Sequence, residues 1–165
     1  MRVDIDGVTE IVGLAAEFDW TGSKEDLGRF CEAARWTIIE SWPLGADIAT
    51  DLDIDRPEGH AFFGGGRLSY IAFEVSDLLS KEQSGDGTLS RACFDDLSDS
   101  LFRELGEPDY GVRRTETSYF RWDLPKVVIF ANCRSRYNSI RLVERSYQEK
   151  QDFIDKHIIG RRDEI

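Results

Sequence analysis

Apolar residues recur every three or four positions in the first 36 residues, which predicts two helices. After a break at Trp20-Thr21-Gly22, the run Ser23-Lys24-Glu25-Asp26 is typical of a helix start. Ser23 is the expected N-cap and Asp26 an imperfect capping-box partner. The first helix is expected within residues 4–18, and the second ends near Trp36. The apolar positions of the two helices are Ile5, Val8, Ile11, Val12, Leu14, Ala15 and Phe18, then Leu27, Phe30, Cys31 and Ala34.

From residue 36 to residue 77 the pattern changes to a period of two, which indicates β-strands. Three strands are predicted: WTIIESW at 36–42, ADIATDLDID at 46–55 and RLSYIAFEVSD at 67–77. Residues 43–45 and 56–66 are expected to connect them. The second strand would place four residues on one face: Ile48, Thr50, Leu52 and Ile54. Its other face would carry Asp47, Ala49, Asp51, Asp53 and Asp55.

Three consecutive glycines, Gly64-Gly65-Gly66, raise the question of a phosphate-binding loop. Such a loop needs a helix N-terminus after the glycines, and a P-loop adds a Lys and a Ser or Thr at fixed spacing. Here a strand pattern follows, and the chain contains no GK[ST] motif. The glycines therefore predict a turn between two strands, or a bulge where one strand begins.

The second half of the chain predicts one long helix, three strands and a final helix. KEQSGDG at 81–87 has the composition of a loop, and a strong amphipathic pattern runs from Thr88 or Leu89 to Leu105 before Gly106 and Pro108 end it. The strand candidates are 117–124, 126–133 and 139–145, and the last helix is expected at 146–158. The predicted order is ααβββαβββα. This order indicates an α+β fold with one antiparallel sheet of about five to six strands, in a single domain at 1–165.

Composition narrows the possible partners. Asp and Glu number 32 against 21 Lys and Arg, giving a net charge of −11. Such a chain is repelled by DNA, RNA and anionic membranes, and its acidity suits either solubility or a basic partner. No apolar run reaches 18 residues and the N-terminus lacks a signal-peptide pattern, so a cytoplasmic location is expected. Three widely spaced cysteines fit neither a disulfide framework nor a zinc site.

The clearest cluster of ionisable residues is Asp51-x-Asp53-x-Asp55, followed by Glu58. On one strand face the three carboxylates would stand about 7 Å apart. An EF-hand is excluded, because Arg56 and Phe62 occupy the positions that need Gly and Glu. Three interpretations stay open: a solvent-facing side of the sheet, a cation site, and an acidic strip for docking.

Other residues give no catalytic set. His60 and His157 lie in no recognised nucleophile setting, and Cys93 falls on the apolar stripe of the long helix. We therefore expect no enzymatic activity, no cofactor and no metal. Trp42, beside Pro43, is a candidate for an exposed anchor on a partner.

Three stretches carry a family resemblance: FDWTGSKEDLGRFCEAARW at 18–36, LGEPDYG at 105–111 and RWDLPKVVIFANC at 121–133. Together they resemble a family of small, acidic, uncharacterised proteins of high-GC Gram-positive bacteria, over most of residues 12–145. The resemblance implies immunity proteins of polymorphic or contact-dependent toxin systems, and it implies no catalytic residues. The order of helices and strands is also similar to that of type III secretion chaperones, which bind protein clients.

Three functional hypotheses follow. The first is an immunity protein, a monomer or weak dimer that neutralises a basic, possibly nuclease, toxin domain through an acidic surface and binds neither nucleic acid nor membrane. The second is a secretion-chaperone-like adaptor with an exposed apolar groove, and the third is a metal-dependent hydrolase built on the aspartate row. The residues expected to face the protein partner are Asp47, Asp51, Asp53, Asp55, Glu58 and Trp42.

Overall fold

A computed structural model describes residues 1–113 and 117–159, which form an α+β fold with one antiparallel sheet. The α-helices in this part of the chain are α1 (Ile5–Glu17), α2 (Glu25–Ala34), α3 (Lys81–Ser84), α4 (Thr88–Leu105) and α5 (Arg145–Ile154), the last continued by a π-helical turn at Asp155–Ile159. The strands are β1 (Thr37–Trp42), β2 (Gly45–Ala49), β3 (Glu58–Gly64), β4 (Arg67–Glu74), β5 (Tyr110–Arg113), β6 (Ser118–Asp123), β7 (Val128–Cys133) and β8 (Asn138–Val143).

The sheet consists of two four-stranded meanders joined in the middle. Its strand order is β1-β2-β3-β4-β8-β7-β6-β5, and every neighbouring pair is antiparallel. The β4–β8 pair joins the meanders, while α3 and α4 provide the connection along the chain. β1 and β5 are consequently the two edges of the sheet.

Helices α1, α2 and α4 pack on one face of the sheet and bury the main core. Val8 and Val12 of α1, Phe30 of α2 and Leu97 and Leu101 of α4 are fully enclosed. They belong to one cluster with the inward residues of the strands, such as those at positions 48, 71, 129 and 140. Burial of aliphatic and aromatic side chains at helical and alternating spacing is therefore the main force that holds these layers together.

Helix α5 lies on the opposite face of the sheet, where a smaller cluster forms. Its Tyr147 packs against Val128, Phe130 and Val143, the outward residues of β7 and β8. This face is thus covered over β6, β7 and β8 as far as Tyr70 of β4, and the remainder, from β4 to β1, is left open.

The glycine triplet is a turn, as the sequence predicts. Gly65 and Gly66 connect β3 to β4, with φ angles of 58° and 75°. Two successive positive φ angles suit the right-handed twist of a hairpin, and only glycine adopts them without a steric cost.

The sheet has eight strands, so the predicted five to six was wrong. β3 falls in the segment expected to be a connection, and the four-residue β5 was missed. β3 contains Gly59, at which a Cβ would stand 2.6 Å from the carbonyl oxygen of Ala72. Glycine thus permits close strand pairing here, where composition alone suggested a loop.

The second predicted strand is shorter than expected. β2 ends at Ala49, and residues 50–57 form no ladder, although Leu52 and Ile54 are buried and Asp51, Asp53 and Asp55 are exposed. The alternation correctly predicted which side chains point inward. The alternation did not predict whether the backbone pairs with a neighbouring strand, because a side chain can be buried without ladder hydrogen bonds on its own backbone.

Two helix predictions also need correction. The segment KEQSGDG contains the short helix α3, whose N-terminus is capped by a capping box between Ser80 and Gln83. At the start of α2, Ser23 is not the N-cap: Lys24 is, and it makes no side-chain capping hydrogen bond. The Asp26 carboxylate instead accepts the N–H groups of Thr21 and Gly22, at 2.9 and 2.7 Å.

Candidate protein-binding face

Outward-facing residues of the sheet form continuous rows across the strands. Directly opposite one another from β1 to β5 stand Glu40, Asp47, His60, Ala72, Arg141, Phe130, Arg121 and Tyr110. A neighbouring row contains Trp42, Gly45, Phe62, Tyr70, Val143 and Val128. We call the outward-facing side of β1 to β4, which these rows cross and which also carries Glu58 and Glu74, the open half-face.

The open half-face is aromatic along one row and acidic along the next. The rings of Phe62 and Tyr70 stack with centroids 5.6 Å apart, and Trp42 lies across the gap left by Gly45. Trp42 is 44% exposed, so this apolar row continues to the edge of the sheet. Ile39, which is 65% exposed, lies on the same edge strand at the register irregularity between Ile38 and Glu40. Exposed aromatic and aliphatic groups beside charges are the usual composition of a protein-binding surface.

A groove of about 440 Å³ crosses the acidic part of this face. It passes over the small residues Gly59, Ala72 and Ser139, which leave room above the strands. Its other lining residues include Ile39, Asp47, Glu58, His60, Glu74 and Tyr137. Sequence reasoning did not find this groove, because it is formed by neighbouring strands that lie far apart along the chain.

Glu74 is the unusual group in the groove. Its Oε2 atom is enclosed and has no hydrogen-bond partner within the described structure. Burial raises the pKa of this carboxyl, Arg56 opposes the rise, and the nearby charges of Glu58 and Asp55 add to it. The enclosed Oε2 atom therefore lacks, among the described residues, a hydrogen-bond donor that would compensate its lost hydration.

The arginines close to the groove balance only part of its negative charge. Arg56 forms an ion pair with Glu58 at the rim. The Arg141 guanidinium lies over the rings of Tyr70 and Phe130, 5.4 and 5.0 Å from their centroids. The groove therefore keeps an excess of negative charge.

Of the residues expected to meet a partner, the structure brings Trp42, Asp47 and Glu58 to the open half-face. Asp47 stands opposite Glu40 and His60, whereas Glu58 stands opposite Ala49. The structure adds Glu40, Glu74 and the aromatic row, which the sequence analysis did not single out. In the sequence, these residues are marked only by the alternation of apolar and polar positions along their strands.

Asp51, Asp53 and Asp55 do not form a row on one strand. Asp51 accepts the indole N–H of Trp36 at 3.2 Å, and Asp53 pairs with Arg2 at 3.0 Å. Asp55 accepts the backbone N–H of Leu78 at 3.1 Å. These carboxylates fasten residues 50–57 to Trp36, to the N-terminal segment and to the chain after β4. The backbone N–H groups of Asp53 and Asp55 donate to the carboxylates of Asp4 and Asp77, which provides partners that a ladder would otherwise supply.

The possible metal ligands of the described residues lie apart, and the three thiols are wholly or partly buried. Within residues 1–113 and 117–159, no three His, Cys, Asp or Glu side chains converge to hold a metal ion. Cys31 and Cys133 are buried, Cys93 is half-buried, and all three thiols are free. Burial raises the pKa of Cys31 to about 11, so this thiol stays protonated at neutral pH.

The fold and this face define an α+β protein with a two-meander sheet that is covered by helices on one side and half open on the other. The profile of DUF6301, a family of unknown function, matches residues 6–135, and the chain belongs to that family. No curated protein and no solved structure matches the chain. None of the helices in the described part of the chain is both long and apolar enough to cross a bilayer.

Proposed function

We propose that this protein binds and neutralises a basic toxin domain, with the open half-face as its contact surface. The observation that supports this proposal most directly is the pairing of an exposed aromatic row with an acidic groove. An anchor such as Trp42 supplies apolar contact, while Glu40, Asp47 and Glu58 attract a basic surface. A net charge of −11 adds long-range steering toward such a partner.

A nuclease domain is a suitable target, because it carries cationic residues that hold its phosphate substrate. An acidic inhibitor that occupies the same residues blocks the substrate by direct competition. This role requires no bond-making by the inhibitor, in keeping with the absence of a recognised catalytic set in the sequence.

Binding and protection of cells test the proposal together. The product of the neighbouring gene, which the proposal expects to contain a toxin domain, would be captured with the purified protein and, separately, expressed in cells with and without it. We expect a complex and survival of the protected cells. The absence of binding, or death of cells that carry both proteins, contradicts the proposal.

A charge-reversal experiment tests the face. The double variant Asp47→Lys with Glu58→Lys should slow association by about tenfold or more, and the loss should shrink at high salt. A matched control is Asp96→Lys with Asp99→Lys, two exposed aspartates on α4 in the helical layer. If both double variants slow association equally, only net charge matters and the open half-face is not the contact surface.

An adaptor for an exported client is a second candidate, favoured by the apolar residues around β1. Ile38, Ile39, Trp42 and Leu44 are all exposed in this short stretch. Light scattering distinguishes the two functions: an adaptor of the secretion-chaperone kind is expected as an obligate homodimer, and the toxin inhibitor as a monomer or weak dimer.

A further inference from the structure

We propose that the groove on the open half-face is a socket for one arginine side chain of the protein partner, with Glu74 as its counter-charge. This inference rests on the proposed function and names the chemistry of recognition at that face. It also assigns a role to Glu74, whose enclosed carboxylate oxygen has no partner in the described structure.

The groove is large enough to admit a long side chain. Gly59, Ala72 and Ser139 present little or no side chain to the groove, and the resulting volume is about 440 Å³. That is within the range of roughly 300–1,000 Å³ that is common for ligand pockets. Ile39 and the aliphatic part of the lining give the methylene groups of an arginine an apolar contact.

The charges around the groove favour a cation. Asp47, Glu58 and Glu74 line it, and Asp55 is close enough to influence Glu74. Of the nearby cations, Arg56 is paired with Glu58, and Arg141 lies over the rings of Tyr70 and Phe130. Glu74 is only partly buried and forms no ion pair within the described residues, so a guest cation would approach it without displacing one.

A guanidinium fits this lining better than an ammonium. Its five N–H donors lie in one plane and can serve several acceptors at once. Glu74 carries a carboxylate, and Tyr137 and Ser139, which also line the groove, carry hydroxyl groups. The rings of His60 and Tyr137 provide flat surfaces beside which a planar guanidinium can lie.

A small-molecule titration tests the socket without the toxin. N-acetyl-arginine N-methylamide would be titrated into isotopically labelled protein and followed by NMR. We expect saturable shifts at the backbone amides of Gly59, Ala72 and Ser139, with a Kd on the order of 1–10 mM for a single side chain. The citrulline analogue has nearly the same shape without the charge, and it should bind at least about tenfold more weakly.

Variants identify the counter-charge. Glu74→Gln keeps the size of the side chain and should weaken arginine binding by about tenfold. Asp51→Asn, which removes a charge outside the groove, should leave it unchanged. The proposal is overturned if the shifts do not saturate, if they fall outside the groove, or if Glu74→Gln binds arginine as well as the unchanged protein does.

The socket and the proposed function can fail separately. If the toxin binds the unchanged protein and Glu74→Gln equally, the socket is wrong and toxin binding stands. If the arginine derivative occupies the groove but no toxin binds, the socket stands and the proposed function is wrong.

Discussion

Arg121 on β6 holds Asp152 on α5 through two parallel hydrogen bonds, of 2.8 and 2.7 Å. The same guanidinium also donates to Asp123 at 2.7 Å. This bidentate pair, together with the packing of Tyr147 on β7 and β8, holds α5 over β6 to β8.

Replacing Asp152 by Asn should lower the free energy of unfolding at pH 7, because the charged pair with Arg121 is lost. The loss should be only about 1 kcal/mol, since one side of the carboxylate faces water. The hydrogen bonds from Arg121 hold the pKa of Asp152 below its ordinary value, against the effect of burial. A carboxyl with a lowered folded pKa stabilises the fold above its unfolded pKa of about 4, and that stabilisation is lost as the pH falls through the folded pKa.

Urea unfolding at several pH values measures the difference in the free energy of unfolding between Asp152→Asn and the unchanged protein. This difference, or gap, should close in acid. Glu149→Gln is the control, since Glu149 lies on the same helix with 69% of its side chain exposed. A gap that persists well below pH 3 would exclude the carboxylate charge as its cause.

Asp26 should be one of the most sensitive positions for folding. Its side chain is 1% exposed and accepts the N–H groups of Thr21 and Gly22 as well as the Thr21 hydroxyl. Asp26→Ala leaves these donors unpaired, and we expect a loss of about 3 kcal/mol in chemical denaturation. Glu25→Ala, at the exposed neighbouring position, should cost less than about 0.5 kcal/mol; equal losses would contradict the assigned role of Asp26.

Glu74→Gln should stabilise the protein at neutral pH. Because burial raises the pKa of Glu74, its ionised form costs more in the folded than in the unfolded state. The cost is present above the folded pKa and absent below the unfolded pKa of about 4.3, so the gain should vanish in acid. Thermal unfolding at pH 7 and in acid checks this, and a gain equal at both pH values would exclude the charge as its source.

Trp42→Ala should weaken partner binding much more than folding. The indole is 44% exposed and lies at the edge of the aromatic row. We expect a loss of about 2 kcal/mol in binding, close to a thirtyfold rise in Kd, with less than about 1 kcal/mol lost in stability. Leu89→Ala, with a comparably exposed side chain on α4, is the control for calorimetric titration; similar affinities for the two variants would remove Trp42 from the interface.

Two glycine substitutions should act in opposite directions. At Gly59 a Cβ would lie 2.9 Å from the Cβ of Phe73 as well as against the Ala72 carbonyl, so Gly59→Ala should cost about 2 kcal/mol. At Gly28, in the exposed part of α2, a Cβ meets no atom within 4 Å. Gly28→Ala should therefore raise stability by about 0.5–1 kcal/mol, measured by urea unfolding. Destabilisation by both would show that α2 packs more tightly than described.

The candidate face was only partly accessible to sequence reasoning. Asp47, Glu58 and Trp42 were singled out by charge and exposure, but the same argument included Asp51, Asp53 and Asp55, which bind other parts of the chain. A run of carboxylates looks the same in a sequence whether its members face water or cap backbone N–H groups. No feature of the sequence indicated that the Glu74 carboxylate is enclosed, because its enclosure depends on strands that are distant along the chain.

The sequence alone determined the α+β class, the long helix α4, most strands and the inward or outward direction of their side chains, since these follow from local periodicity. It also determined the acidic charge and the hairpin at Gly65-Gly66. Tertiary structure decided the number of strands, the joining of the two meanders through β4 and β8, and the half of the sheet that α5 covers. These depend on backbone hydrogen bonds and packing between distant segments, and local periodicity contains no information about which segments will meet.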